Sequence, residues 1–223
     1  MAKKEQNQAL DVNDAISKSE AFILKYKKTL IVAIVAVVVI VGGIYVYNNF
    51  VAKPNAEKAS TMLAKGQALF ATGDYDKALN GDGAYIGFVK IADKYSYTKA
   101  GNLANLYAGL SYAQKGDAKN AIKYLEEYDL CGDDMISPAA IGALANCYAQ
   151  VGKVDKAIDK LAEAAKKADN NTLSPIFLLQ EAQLLESQNK NDEALKIYKE
   201  IKSKYFQSPE AAEIDKYIEK LSK

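Results

Sequence analysis

The chain has 223 residues and a formal charge of +1, with lysines and carboxylates almost in balance and no arginine. Without a basic stripe or a guanidinium to take guanine and phosphate in two-pronged fashion, nucleic acid is excluded as a partner. Histidine is absent as well, which removes a His general base, a Ser-His-Asp triad and the usual zinc ligands. The two cysteines, Cys131 and Cys147, are too few for a disulfide scaffold and do not form a C-x-x-C pair. An oxidising compartment would permit a bridge between them. Cys147, beside Tyr148 in an alanine-rich stretch, reads instead as a small buried apolar residue.

Residues 1–11 read as a disordered tail. Asn13 or Asp14 is placed to cap a short helix to Tyr26, with Val12, Ile16, Ser19, Phe22, Ile23 and Tyr26 on or near one face. That helix would lie on a membrane surface or simply extend the span that follows. From Thr29 to Ala52 there is no charged residue, and Leu30 to Val46 is almost wholly aliphatic. A bilayer core of about 30 Å needs about 20 apolar helical residues, so the stretch is long enough to cross once. A cleaved secretory signal is the rival reading. The stretch starts late and runs into bulky Tyr45, Tyr47 and Phe50, which fits an uncleaved anchor. Lys25, Lys27 and Lys28 crowd its N-terminal edge while Lys53 stands alone on the other side, so the N-terminus is expected inside. Residues 1–28 are then a cytoplasmic tail with a juxtamembrane helix, 29–52 a transmembrane helix and 53–223 an exported domain, periplasmic in a cell with two membranes. Ala33, Ala36, Gly42 and Gly43 are small enough for close helix contact, but no clear small-xxx-small pair exists, and the span is read as facing lipid.

After Pro54 the periodicity is helical throughout, and it repeats. GDYDKAL (73–79), GDAKNAI (116–122), GKVDKAI (152–158) and KNDEALKIY (190–198) are variants of one turn-then-helix phrase. Its alanine recurs as Ala121, Ala157 and Ala194, at spacings of 36 and 37, and Ser137-Pro138, Ser174-Pro175 and Ser208-Pro209 recur with it. A period of that length with two helices per unit resembles the tetratricopeptide repeat (TPR) family. The resemblance gives Gly109 and Tyr112 on helix A, with Ala121 and Leu125 on helix B, the small-against-large roles of the hairpin. The same roles fall to Ala145, Tyr148, Ala157, Leu161 and Ala164, then to Ala182, Leu185, Ala194, Tyr198 and Ile201. In the first unit Gly66 and Leu69 fit helix A. The stretch 79–85 (LNGDGAY) then inserts a longer turn before Phe88, Ile91, Ala92 and Tyr95. Asn80-Gly81-Asp82-Gly83 lacks the further spaced carboxylates of a calcium loop. A closing helix from Pro209 to Leu221 packs Ala212, Ile214, Tyr217, Ile218 and Leu221. The expected fold is all-α: one transmembrane helix, then a TPR-type α-solenoid of about four hairpins with a capping helix.

Such solenoids bind through the face lined by their A helices. The expected groove residues are Leu103, Leu106, Tyr107 and Leu110 in the second unit and Asn146 and Gln150 in the third. Ile176, Leu179 and Gln183 supply the fourth, and Gly142 lies among them where a carboxylate clamp would carry lysine. The groove is apolar and suits an extended or helical segment of a partner. Leu103, Leu106 and Leu110 either line it openly or are covered by the preceding unit. The paired carboxylates Glu126-Glu127, Asp133-Asp134 and Asp192-Glu193 fall on turns and solvated faces rather than opposed across a cleft. No phosphate loop or nucleophile elbow occurs. Catalytic residues, metal ligands, cofactors and a small-molecule substrate are therefore not expected.

AFILKYKKTL (21–30) leading into a glycine-containing span that ends GGIYVY (42–47) resembles the YfgM-like ancillary subunits of the Sec translocon. That resemblance implies a non-enzymatic inner-membrane scaffold beside the translocon. Its partners would be translocon subunits, a membrane-anchored periplasmic chaperone and newly exported chains. An adaptor in envelope or division machinery, like the Tol-associated repeat proteins, is the alternative.

Overall fold

A computed structural model describes residues 2–222, with side chains for residue 20 and from 23 onward. The chain divides into two compact units, 1–55 and 56–223. In the first, helix α1 spans Ala2–Tyr47. It begins at Ala2 rather than at Asn13 or Asp14, and it takes in the run expected to be disordered. Residues 2–11 are mostly Ala, Lys, Glu, Gln and Leu, all good helix formers, with no Gly or Pro to stop them. The face proposed for Val12, Ile16, Ser19 and Phe22 lies outside the described side chains.

The apolar helix does not end as a regular helix. A π-helical turn occupies Asn48–Ala52, and the Lys53 N–H donates to the Asn48 carbonyl. The cause is local: the Asn49 side-chain amide donates to the Tyr45 carbonyl at 3.0 Å, an acceptor the regular ladder would give to a backbone N–H. Lys53 Nζ in turn donates to Asn49 Oδ1 at 2.9 Å.

The second unit is built of hairpins. Helix α2 (Lys53–Ala71) packs its Ala59 and Leu63 against α3 (Tyr75–Asn80) and α4 (Phe88–Lys94). Then come α5 (Lys99–Gln114) with α6 (Ala118–Glu126), and α7 (Ile136–Gln150) with α8 (Val154–Ala168). The last pair is α9 (Ser174–Ser187) with α10 (Asn191–Lys204). From α4 to α10 each helix packs mainly on its neighbours in sequence, as a solenoid requires.

Every hairpin is closed by the same turn. One residue is left-handed in each: Gly73 (φ 78°), Gly116 (78°), Gly152 (76°) and Asn189 (61°). Its N–H donates to the carbonyl three residues back, and the next N–H reaches Leu69, Tyr112, Tyr148 or Leu185, all at 2.9–3.0 Å. Those two bonds define a Schellman cap, and they reverse the chain in a few residues. Below the turn a small residue on helix A admits helix B. A Cβ at Gly109 would lie 2.6 Å from Leu125 Cγ. Ala145 and Ala182 hold the same place and are fully buried, as are Ala157 and Ala194 on the B helices.

The return turns are also alike. Thr98 Oγ1 accepts from the Gly101 N–H at 3.0 Å and donates to the Tyr95 carbonyl at 2.7 Å. Ser208 Oγ accepts from the Ala211 N–H at 3.2 Å. Ser174 Oγ donates to the Ala165 carbonyl at 2.8 Å. These hydroxyls satisfy helix-terminal groups that burial would otherwise leave orphaned.

In the first hairpin the insertion splits helix B into α3 and α4. Asp82 Oδ1 accepts from the N–H groups of Ala84 (3.1 Å) and Tyr85 (2.9 Å), and the Tyr85 hydroxyl donates to the Ala78 carbonyl at 3.0 Å. The loop therefore sends Tyr85 into the core, over Gly66. At the far end the closing helix is two pieces, α11 (Pro209–Ala212) and α12 (Ile214–Leu221). The break at Glu213 shifts the register, so Ala211 packs on the core and Ala212 is exposed, contrary to the expected Ala212 contact.

Both cysteines are free: Cys131 is exposed and Cys147 buried. Gly109→Leu is expected to overpack the second hairpin and destabilise the domain by about 1–3 kcal/mol. Gly42→Leu, with nothing within 4 Å of its Cβ, should leave the domain unfolding temperature unchanged. Circular dichroism melts of the full chain in nonionic detergent measure both.

Candidate partner-binding groove

Leu103, Leu106, Tyr107 and Leu110 of α5 come together. With Phe70 of α2 and Ile136 at the start of α7 they line an apolar cleft of 400 Å³. The preceding unit covers them unequally. Leu106 is buried, 5% exposed, among Ala121, Ala140 and Leu144. Tyr107 stacks on Phe88 at 5.3 Å between ring centroids and meets Phe70 edge-on at 5.4 Å. Leu103 and Leu110 are half-buried. The cleft is thus part core and part opening.

Its rim is held by a carboxylate. Met135 and Ile136 are about half exposed. Asp133 fixes the turn that carries them: Oδ1 accepts from the Met135 N–H at 3.0 Å, from the Ile136 N–H and from the Ser137 N–H at 3.2 Å. Oδ2 accepts from the Ser137 hydroxyl at 2.8 Å. Desolvation pushes the carboxyl up, but these hydrogen bonds outweigh it and hold Asp133 at about 2. On the other side of the same loop, the Asn102 amide brackets Asp129, accepting from its N–H at 2.7 Å and donating to its carbonyl at 2.8 Å.

The other expected groove residues do not join this cleft. Asn146 and Gln150 are exposed on α7. Ile176 and Leu179 are half-buried, and Leu179 packs on the fourth-unit core. Gln183 is exposed and its amide donates to the Tyr217 hydroxyl at 3.4 Å, tying it to the closing helix. Gly142 does not line a groove at all. The Phe177 ring of α9 lies against it, where any Cβ would collide. Phe177 therefore fills the channel between α7 and α9. Phe70, Met135, Ile136 and Phe177 were not anticipated. Gly142 itself was the available signal for Phe177, because a helical glycine admits a large neighbour.

The paired carboxylates have structural places. Glu126 accepts from the Tyr148 hydroxyl, Asp133 caps its turn, and Asp192 and Glu193 occupy the first turn of α10, where the helix dipole favours them. Among the described residues no group of His, Cys, Asp and Glu gathers as a metal site. Burial pushes the Cys147 thiol up, which makes it less reactive. Glu181 is the exception among the acids. It is 9% exposed, on the buried side of α9, and burial together with Glu200 and Asp159 raises it to about 7.

In the first unit, Lys25, Lys27, Lys28, Tyr45 and Tyr47 are all exposed, and Lys25 Nζ lies 5.3 Å from the Tyr26 ring centroid. Among the described residues one helix is long and apolar enough to cross a membrane, and none of its apolar window is buried.

Residues 140–173 match the tetratricopeptide repeat family model. No curated protein sequence matches the chain. Among solved structures it is similar to a Podosopora anserina protein assigned as a kinesin light chain and built of nearly identical TPR-like repeats. The TM-score is 0.56 at 12% identity, over 74% of this chain and 86% of that one. A point variant of the same protein matches with a TM-score of 0.55 at 12% identity, over 74% and 85%. At that identity the likeness establishes the fold alone. Fold and repeat match together support a TPR protein, a class of generally non-catalytic interaction scaffolds.

Glu181→Leu tests the buried acid. The folded state keeps a proton that the unfolded chain releases, so wild-type stability falls as pH rises from 4.5 to about 7. The variant should be more stable than wild type by about 1–3 kcal/mol at pH 8, and the gain should fade as pH approaches 4.5. Denaturant melts at the two pH values measure it.

Proposed function

We propose that the chain is a membrane-anchored, non-catalytic scaffold whose A-helix cleft holds an apolar segment of a protein partner. The observation that carries this is the cleft itself: Leu103, Leu110, Phe70 and Ile136 border an apolar opening that Asp133 keeps in place, on a fold whose use is to bind polypeptide. The wholly exposed apolar helix supports an anchor. Lys25, Lys27 and Lys28 favour a cytoplasmic N-terminus and an exported domain, periplasmic where there are two membranes.

The finer reading rests on the anchor sequence. AFILKYKKTL (21–30) and GGIYVY (42–47) support a subunit beside the Sec translocon. There the scaffold would work on newly exported chains together with a membrane-anchored periplasmic chaperone.

Cys131 provides a test of topology without an introduced label, since it is exposed while Cys147 is buried. A membrane-impermeant maleimide added to intact spheroplasts is expected to modify Cys131 at once and to spare Cys147 until the protein is denatured. Labelling of Cys131 only after the membrane is breached would place the domain in the cytosol and end the translocon reading. A second measurement concerns the cleft. Leu110→Glu with Ile136→Glu should keep the helical circular dichroism signal and remove translocon and chaperone subunits from a mild-detergent co-purification.

A further inference from the structure

A second cleft lies on the opposite side of the A helices, between the B helices α8 and α10, with a volume of 470 Å³. Its floor is α9, through Leu178 and Glu181. The same cleft one repeat earlier, between α6 and α8, has Ile141 and Leu144 as its floor. The repeat period makes position 181 the counterpart of 144, since each stands one residue before the small contact residue, Ala182 or Ala145. It corresponds in the same way to Ala108, which precedes Gly109 and is fully buried. Packing at this place is satisfied by Leu144 and Ala108. A carboxylate there is not a requirement of the fold, and burying one is unfavourable unless it is paired.

Glu181 is not paired within the chain. It is more than nine-tenths buried, has no hydrogen bond or ion pair among the described residues, and the charges acting on it come from Glu200 of α10 and Asp159 of α8, both acids. Lysines stand at the rim but do not compensate it. Lys204 is held by Asp169 at 3.1 Å and lies 4.9 Å from the Tyr205 ring centroid, and Lys166 is exposed. Tyr205 is the remaining titratable group of the lining. A cleft of mixed lining, with Ala165, Leu178 and Ile197 as its aliphatic part, the Glu181 carboxyl in its floor bonded to no described residue and two further acids nearby, has the chemistry to receive a cation on an aliphatic stem.

We propose that the α8–α10 cleft binds a basic side chain of a protein partner, arginine or lysine, with Glu181 as its counter-ion and Glu200 at the rim. The stem lies along Ala165, Leu178 and Ile197, and the charged head reaches the carboxylate. The site is separate from the apolar A-helix cleft, so it does not depend on what that cleft holds. A scaffold with both could take one partner by an apolar segment and a second, or another part of the first, by a basic residue.

The probe is N-acetylarginine amide, with N-acetylcitrulline amide as its neutral near-isostere, titrated into the full chain in nonionic detergent. Methyl NMR signals of Ala165, Leu178 and Ile197 are expected to shift and saturate with the arginine compound and not with citrulline. Glu181→Leu, which installs the residue found at position 144, should weaken the response at least tenfold. On wild-type protein the titration midpoint of the Glu181 carboxyl, followed by its 13C shift, should fall when the arginine compound is present, because a bound cation favours the ionised form. That second readout stands even if the variant folds poorly. Equal responses to citrulline, a response unchanged in Glu181→Leu, or no methyl shift and an unmoved midpoint at tens of millimolar arginine compound would each overturn the proposal.

Discussion

The close contact of a small residue on each A helix with its B helix is the constraint on which the second unit depends. Gly109 brings its helix against Leu125 at a distance that a longer side chain would forbid, and Ala145 and Ala182, which hold the same place in the next two repeats, are fully buried. The left-handed residues Gly73, Gly116, Gly152 and Asn189 serve that contact by turning the chain back immediately above it. With the hairpins closed in this way, the large residues at the turn, Leu69, Tyr112, Tyr148 and Leu185, have their carbonyls capped and their side chains committed to packing. Tyr112 shows the result, its ring stacked on Tyr124 of the partner helix at 5.5 Å.

What the hairpins leave over is the surface proposed to bind partners. Helix A has one face against its own B helix and another against the neighbouring units, so its remaining side chains border clefts. On one side, between α5 and α7, the border is apolar and its opening is set by Met135 and Ile136 on the turn that Asp133 clamps. On the other, between successive B helices, the border is mixed, and in the last such cleft the floor carries Glu181. Both features depart from what the packing needs. Exposed Met135 and Ile136 gain nothing for the core, and an unpaired buried carboxylate weakens it. Residues that cost stability where a neutral alternative is present in the next repeat are the natural places to look for binding.

The hairpin residues were legible in the sequence because their signal is local and periodic. Gly109 and Tyr112, or Ala145 and Tyr148, sit one helical turn apart just before a glycine turn, and each recurs about 36 residues later. The long apolar helix was legible by length and composition alone. The groove was legible only in part. Leu103, Leu106, Tyr107 and Leu110 share one cleft, since they lie on one face of one helix. Asn146, Gln150, Ile176, Leu179 and Gln183 do not join them, because whether successive A helices leave a channel depends on a side chain reaching across between repeats. Phe177 does so over Gly142, and no periodicity within a helix records that. The closing segment was misread by one residue, Ala212 for Ala211, because a break at Glu213 changes the register without a Gly or Pro to mark it. Glu181 was overlooked although its signal was present: aligned on the repeat, it stands where Leu144 and Ala108 stand.

The central proposal is that a partner's apolar segment lies in the cleft bordered by Leu110 and Ile136. It is tested most directly by placing a photo-crosslinking residue at position 136 and, in separate cells, at Lys119, which is exposed on the B-helix side. Irradiation is predicted to join position 136 to a translocon subunit, the anchored chaperone or a newly exported chain, and to leave position 119 without that adduct. The same adducts in equal yield from both positions, or none from 136, would contradict it.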